Sequence, residues 1–211
     1  MKSVNIPHVA ITRLSLYARN LALLEQKGVE MVSSARLADI CGVNPAQIRK
    51  DLAYFGEFGT RGLGYYVKEL LYEVRNILGL EKKWHMALVG VGGLGVALLK
   101  DAEFVNHGYI FVAAFEKDPE RIGMHIGDLT IASLETMTPL IQEKGIELGV
   151  IAVSAPWAQE AADRLVKAGV NGVLNFAPVQ LQCPHDVYIE NVDWALKLDV
   201  LSYKLSWPTS R

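Results

Sequence analysis

The sequence contains Met86-Ala87-Leu88-Val89-Gly90-Val91-Gly92-Gly93-Leu94-Gly95, a short apolar run that leads into a G-x-G-x-x-G spacing. The apolar run predicts a buried strand, and the residues after the glycines continue as a helix. In such a unit the first glycine makes the tight turn, the second lets backbone approach a pyrophosphate, and the third lets the helix pack on the strand. The stretch therefore predicts the first βα turn of a dinucleotide-binding, Rossmann-like domain.

A second apolar run, residues 109–115, ends in Glu116. A carboxylate at this place accepts hydrogen bonds from both hydroxyls of the adenosine ribose and repels a 2′-phosphate, which favours NAD(H) over NADP(H). The adjacent Lys117 either softens that repulsion or is a solvated loop lysine. Further strands are predicted over 148–153, 172–176 and 187–190, with helices over 157–168 and 193–205. This alternation predicts an α/β fold with a doubly wound parallel sheet.

The first 80 residues show helical periodicity instead. Apolar residues recur at spacings of three and four in a first helix, at Leu14, Tyr17, Leu21 and Leu24. A second helix, residues 35–41, is predicted between an N-cap at Ser34 and a stop at Gly42, with an inward side formed by Leu37, Ile40 and Cys41. Asn44 and Pro45 begin a third helix that runs to Phe55, with Gln47 at the capping-box position. Two short helices this close together predict a helix-turn-helix.

The third helix has a face suited to the DNA major groove. Its apolar residues Ile48, Leu52 and Phe55 fall on one side, so the opposite side presents Ala46, Gln47, Arg49, Lys50, Ala53 and Tyr54. Long hydrogen-bond donors beside small alanines allow close approach to base edges. The alternative interpretation is an ordinary solvated helix face.

A glycine-rich segment, residues 56–66, follows the third helix and predicts a short hairpin. A hairpin directly after a helix-turn-helix forms a wing. Arg61 lies near the predicted tip between Thr60 and Gly62, where an arginine is placed to enter a narrow minor groove. A fourth helix is predicted over 67–78.

Charge and composition limit the function further. Residues 1–84 carry 12 Lys/Arg and 8 Asp/Glu, whereas residues 85–211 carry 9 and 15, so a basic module precedes an acidic one. The two cysteines, Cys41 and Cys183, are too few for a disulfide framework or a zinc site, and no apolar run approaches the length of a membrane span. These features predict a cytoplasmic protein without a metal or a membrane segment.

The five histidines are scattered and no catalytic constellation is recognisable, which predicts a sensor rather than an enzyme. A small NAD-dependent oxidoreductase and a CoA-binding regulatory module remain open as alternatives.

The sequence resembles the Rex family of bacterial redox-sensing transcriptional repressors nearly from end to end. The runs that carry the resemblance are 11–14, 47–56, 59–65, the glycine loop, Asn175-Phe176-Ala177-Pro178-Val179 and Glu190-Asn191-Val192-Asp193. The resemblance implies a homodimer that binds a palindromic operator. It also implies that NADH releases the repressor, whereas NAD⁺ competes with NADH and permits binding.

The same resemblance implies a winged-helix domain over 1–80, a Rossmann NAD(H)-binding domain over 81–192, and a domain-swapped helix with its tail over 193–211. It implies that Trp194 lies near the nicotinamide of the partner protomer and that Ala155 and Pro156 line the nicotinamide. We expect Phe176 to complete, with Pro156 and the partner's Trp194, an apolar slot around the ring. Arg19 is matched to Asp193 across the interface. Two positions depart from the family pattern. Asp101 stands where relatives often have tyrosine, and Glu116 stands where many have aspartate.

Overall fold

A computed structural model of the chain describes residues 6–60 and 62–207. These residues form two compact units that divide between Lys82 and Lys83, which we call the first unit and the second unit. Arg61, the predicted wing-tip arginine, lies outside the described residues.

The first unit is a helix-turn-helix followed by a wing. Its elements are α1 (His8–Gln26), β1 (Met31–Val32), α2 (Ser34–Cys41), α3 (Pro45–Ala53), β2 (Tyr65–Tyr66) and α4 (Val67–Ile77). Strand β1 pairs antiparallel with β2, and a single bridge between Thr60 and Gly64 narrows the loop that leads into β2. The predicted N-terminal winged-helix fold is confirmed.

The sequence-based details of the first unit are mostly correct. The stripe on α1 is buried as predicted, and Asn44 Oδ1 accepts a hydrogen bond from Gln47 N as the N-cap of α3. The third helix ends at Ala53 rather than Phe55, and two details of α2 are wrong. Ser33 rather than Ser34 caps α2, because the hydroxyl of Ser33 accepts from Arg36 N. Ile40 is 43% exposed rather than buried, because Leu37, Ala38 and Cys41 form the inward side of α2.

The second unit is a seven-stranded sheet with helices on both faces. Its strands are β3 (Trp84–Val89), β4 (Tyr109–Glu116), β5 (His125–Ile126), β6 (Leu129–Ser133), β7 (Leu148–Ile151), β8 (Gly172–Asn175) and β9 (Tyr188–Asn191). Its α-helices are α5 (Gly93–Lys100), α6 (Glu103–Asn106), α7 (Met137–Glu143), α8 (Ala155–Ala168) and α9 (Trp194–Ser206). The strand order is β5-β6-β4-β3-β7-β8-β9, and every pair is parallel except β5 with β6. The predicted doubly wound parallel sheet is confirmed.

Strand β3 is central because alternate residues face two different cores. Ala87 and Val89 belong to a core that includes residues of α7 and α8, whereas Met86 and Leu88 belong to a core against which residues of α5 and α6 pack. The strand order reverses on either side of β3, between β4 and β7. In sheets of this type ligands bind at the carboxyl ends of the strands beside that reversal. Within residues 6–60 and 62–207, no helix has the length and apolar character needed to cross a bilayer.

Candidate functional site

A cleft of about 490 Å³ lies at the carboxyl ends of the central strands of the second unit. Its lining comes from the turn after β3, the end of β4, the end of β6 and the turn after β7. Among the residues predicted to bind a dinucleotide, those that line it are Gly90, Gly92, Glu116 and Lys117. These four predicted residues therefore share one concavity at the reversal of strand order.

The three glycines of the loop have three different geometric requirements. Gly90 has a φ of +96°, and a Cβ there would lie 2.6 Å from Val153 Cγ1. A Cβ on Gly95 would collide with the carbonyl oxygen of Gly90, so α5 can approach β3 only through a glycine. Gly92 has ordinary extended backbone, and a Cβ added there would meet no other atom within 4 Å, which leaves open space beside the first turn of α5. This open space is where backbone and pyrophosphate would approach each other.

The peptide groups of Val91 are held from both sides by charged side chains. Glu116 Oε2 accepts from Val91 N at 2.8 Å, and Glu116 Oε1 accepts from the backbone N–H groups of Lys117 and Asp118. Arg121 donates from its guanidinium to the carbonyl oxygen of Val91 at 2.6 Å. Glu116 thus ties β4 to the glycine loop. Three of the about four lone-pair sites of its carboxylate are occupied by these bonds, which leaves one on Oε2 for a ribose hydroxyl. No pattern in the sequence pointed to Arg121.

The predicted nicotinamide residues follow the next two strands, β7 and β8. Ala155 and Pro156 form the first turn of α8 after β7, and Phe176 directly follows β8. The loop that carries Phe176 is held by Asn175, which is fully buried. Its side-chain amide donates to the carbonyl oxygens of Ala177 and Val179 and to Asn191 Oδ1, and its Oδ1 accepts from Ala177 N.

Asp101, which departs from the family pattern, has a local structural role. It ends α5, and its Oδ1 accepts from Glu103 N at 3.0 Å at the start of α6. An aspartate in place of tyrosine therefore joins two short helices of the second unit.

Helix α9 exposes the residues that were matched to the partner protomer. Trp194 is 68% exposed. Asp193 is the N-cap of α9, and its Oδ1 accepts from Ala195 N and Leu196 N. Arg19, its predicted partner, is an exposed residue of α1 in the first unit.

The predicted DNA-binding residues of the first unit fall into two groups. Lys50 is exposed, as are Thr60 and Gly62 of the wing, whereas Tyr54 is half-buried at the end of α3. Arg49 and Gln47 are already bonded within the unit. Arg49 donates to Ser34 Oγ at 3.0 Å, and Gln47 Nε2 donates to Asp51 Oδ1 at 2.7 Å, instead of completing the predicted capping box.

Sequence reasoning missed the buried charge of α3. Asp51 is fully buried and accepts from Arg13 Nε at 2.5 Å, from a second guanidinium nitrogen of Arg13 at 2.7 Å, and from Tyr17 OH at 2.8 Å. Burial alone would raise the pKa of Asp51, but these bonds and that from Gln47 favour the carboxylate, and the pKa is lowered below its ordinary value. A signal was present, because Asp51 falls on the same side of α3 as Ile48 and Leu52, where a carboxylate requires a partner.

Metal ligands were not predicted, and within the two described ranges no three His, Cys, Asp or Glu side chains are grouped so as to hold a metal ion.

Two family models match the chain. Residues 5–53 match the family described as "Putative DNA-binding protein N-terminus", and residues 81–179 match the family described as "CoA binding domain". The first match falls within the first unit, and the second lies in the second unit except for its first two residues.

Two relatives that match nearly the whole chain carry the same name. The chain is 50% identical over 208 residues to the redox-sensing transcriptional repressor Rex of Syntrophobacter fumaroxidans, covering 98% of this chain and 99% of the relative. It is 47% identical to the protein of that name from Desulforamulus reducens, covering 98% of both chains.

Solved structures agree with the sequence matches. A crystal structure of RSP in complex with β-NAD⁺ and operator DNA superposes with a TM-score of 0.92 at 36% identity, covering 97% of this chain and 94% of that one. A structure of RSP with β-NADH gives a TM-score of 0.88 at 34% identity, covering 97% and 96%. A further structure describes RSP as a Rex-family repressor.

Proposed function

The chain belongs to the Rex family of redox-sensing transcriptional repressors, and we propose that it binds a palindromic operator as a homodimer. NADH, but not NAD⁺, releases this homodimer from the operator. The observation that carries this proposal is the presence, in one chain, of a winged helix-turn-helix and a dinucleotide cleft with an acidic residue at its ribose end. The relatives are named as transcriptional repressors, not as enzymes, which agrees with the sensor predicted from the sequence.

The cleft favours NAD(H) among nucleotide ligands. The open side of Gly92 and the start of α5 suit a pyrophosphate, and the carboxylate of Glu116 suits an unmodified ribose. CoA, which the name of the second family model suggests, carries a phosphate on its adenosine ribose. That phosphate would meet the charge of Glu116, so CoA is the weaker candidate.

The nicotinamide end supplies the redox discrimination. NAD⁺ carries a positive charge on the nicotinamide ring, and hydride transfer removes it. We place the ring between Ala155, Pro156 and Phe176 of one protomer and Trp194 of the other. Burying an unpaired charge in such an apolar slot is costly, so NADH favours the closed dimer. If NADH binds the closed dimer a hundredfold more tightly than NAD⁺ does, the difference is about 2.7 kcal/mol. That is enough to shift a repressor whose DNA-bound and released states are nearly equal in free energy.

Helix α9 supports the homodimer. It is preceded by Asp193 and carries apolar side chains that are more than half exposed, at Trp194, Leu196, Leu198, Val200, Leu201, Tyr203 and Leu205. Contiguous exposed apolar residues of this kind mark interaction surfaces. Packing α9 against a second protomer would cover them and bring Asp193 towards Arg19 of that protomer. The absence of a bound metal and a cytoplasmic location are part of the same proposal.

The DNA half is tested by the salt dependence of operator binding. Lys50 is an exposed lysine of α3 that we assign to a DNA phosphate or base edge. We expect Lys50→Ala to weaken operator binding. If Lys50 contacts a phosphate, the plot of the logarithm of the binding constant against the logarithm of the salt concentration should become less steep by about 0.9. Fluorescence anisotropy with a labelled palindromic duplex at four salt concentrations measures both.

The matched control is Lys68→Ala, which removes one exposed lysine from α4 of the same unit. This variant changes the net charge equally but lies outside the proposed face. If the two variants lost the same amount of operator affinity, only the net charge of the unit would matter. That result would contradict the assignment of α3 to DNA contact.

A further inference from the structure

One large aromatic side chain in the cleft is not among the residues assigned to the ribose, the pyrophosphate or the nicotinamide. Trp157 lines the cleft from the first turn of α8, and 46% of its surface is exposed. The Nζ atom of Lys117 lies 3.3 Å from the centre of the indole ring, so that a cation covers one of its faces. Both residues line the same cleft as Glu116.

The position of this pair follows from the strand order. Glu116 ends β4, on one side of β3, whereas Phe176 follows β8, on the other side and beyond β7. A dinucleotide with one ribose at Glu116 and its nicotinamide near Phe176 must therefore extend its adenine base away from Phe176. Ser133 and Leu134, at the end of β6, line that part of the cleft. Although α8 follows β7, the contact of the Trp157 indole with Lys117, the residue after Glu116, brings the indole to the same part.

The indole is presented by a well-fixed helix. Trp157 N donates to the carbonyl oxygen of Ser154, and Pro156 occupies the first turn of α8. Further along, α8 buries its alanines 158, 161 and 162 in the core of the second unit. Lys117, by contrast, reaches the ring through a flexible four-carbon chain that can move aside.

We propose that the adenine base stacks on the indole of Trp157, and that the ammonium group of Lys117 covers this face until the nucleotide displaces it. The proposal rests on the proposed function, in which the cleft binds NAD(H). Loss of base stacking on an aromatic side chain weakens binding by about tenfold or more, whereas an exposed cation–π contact accounts for only about two- to fivefold. Adenine stacking on the indole is therefore stronger than the contact of the lysine with the same face, and the base displaces the lysine.

The test measures nucleotide binding to the full chain by isothermal titration calorimetry. We expect Trp157→Ala to weaken ADP binding about tenfold and Trp157→Phe, which keeps an aromatic face, to recover most of that loss. NADH and NAD⁺ share the adenine end. The binding of both nucleotides should weaken by the same factor in Trp157→Ala, so the ratio of their dissociation constants should be unchanged.

Lys117→Ala leaves the ring without a side chain over this face, since methionine in its place would itself pack on the indole. Neutral adenosine, which has no phosphate for a lysine to attract, should bind about two- to fivefold more tightly to this variant because the competitor is gone. Unchanged ADP binding in Trp157→Ala, or equal losses in the Ala and Phe variants, would overturn the stacking role. Unchanged or weaker adenosine binding in Lys117→Ala would overturn displacement. A wild-type chain that binds neither ADP nor NADH would instead refute the proposed function itself.

Discussion

Replacing Gly92 with leucine is expected to abolish NADH binding while leaving the fold and operator affinity intact. Gly92 has backbone angles that any residue adopts, and the space around it is open, so the new side chain causes no strain. That side chain would occupy the space assigned to the pyrophosphate and would keep phosphate oxygens from the N–H groups at the start of α5. We expect a loss of at least about a hundredfold in NADH affinity, measured by calorimetry.

A graded series provides the control. Gly92→Ala adds only a Cβ and should cause a smaller loss than leucine, whereas both variants should keep the wild-type melting temperature and bind the operator with wild-type affinity. Operator complexes of the leucine variant should no longer respond to NADH. Wild-type NADH affinity in Gly92→Leu would mean that the dinucleotide does not pass the glycine loop.

Removing the buried charge at Asp51 is expected to destabilise the first unit and to impair operator binding. Asp51→Asn leaves the guanidinium of Arg13 facing an uncharged amide that cannot accept all of its bonds. Breaking a buried ion pair from one side costs about 3–5 kcal/mol, and we expect the low end because the Arg13 side chain is 23% exposed. Urea denaturation of the full chain, monitored by circular dichroism, measures this loss.

The same carboxylate predicts a pH dependence. Because the pKa of Asp51 is lowered on folding, its stabilisation is present above the ordinary aspartate pKa of about 3.9 and is lost as pH falls through the folded value. Asp51→Asn should lack this part of the acid destabilisation. Asp39→Asn, at an exposed aspartate of α2, is the matched control and should behave as wild type. Equal stability of the two variants would contradict the role of the network.

Local elements and the glycine turn were predictable from the sequence because both depend on short-range patterns. The stripe of α1, the Asn44 cap and the order of strands and helices around Gly90 all follow from periodicity and residue type. The features that were missed depend on distant contacts. The bonds from Arg121 to Val91 and from Arg13 to Asp51 join residues far apart in the chain, and β6 belongs to the sheet through its pairing with β4. The stacking surface at Trp157 became recognisable only when α8 placed the indole beside Lys117.

The proposed function depends on the conversion of nicotinamide-ring charge into release from DNA. The most direct measurement is anisotropy of the wild-type chain on a labelled palindromic operator, titrated with NADH and with NAD⁺ at one salt concentration. We expect NADH to release the operator at concentrations at least about a hundredfold below any effect of NAD⁺, and excess NAD⁺ to shift the NADH curve to higher concentration. Release by both nucleotides at equal concentrations would contradict this mechanism.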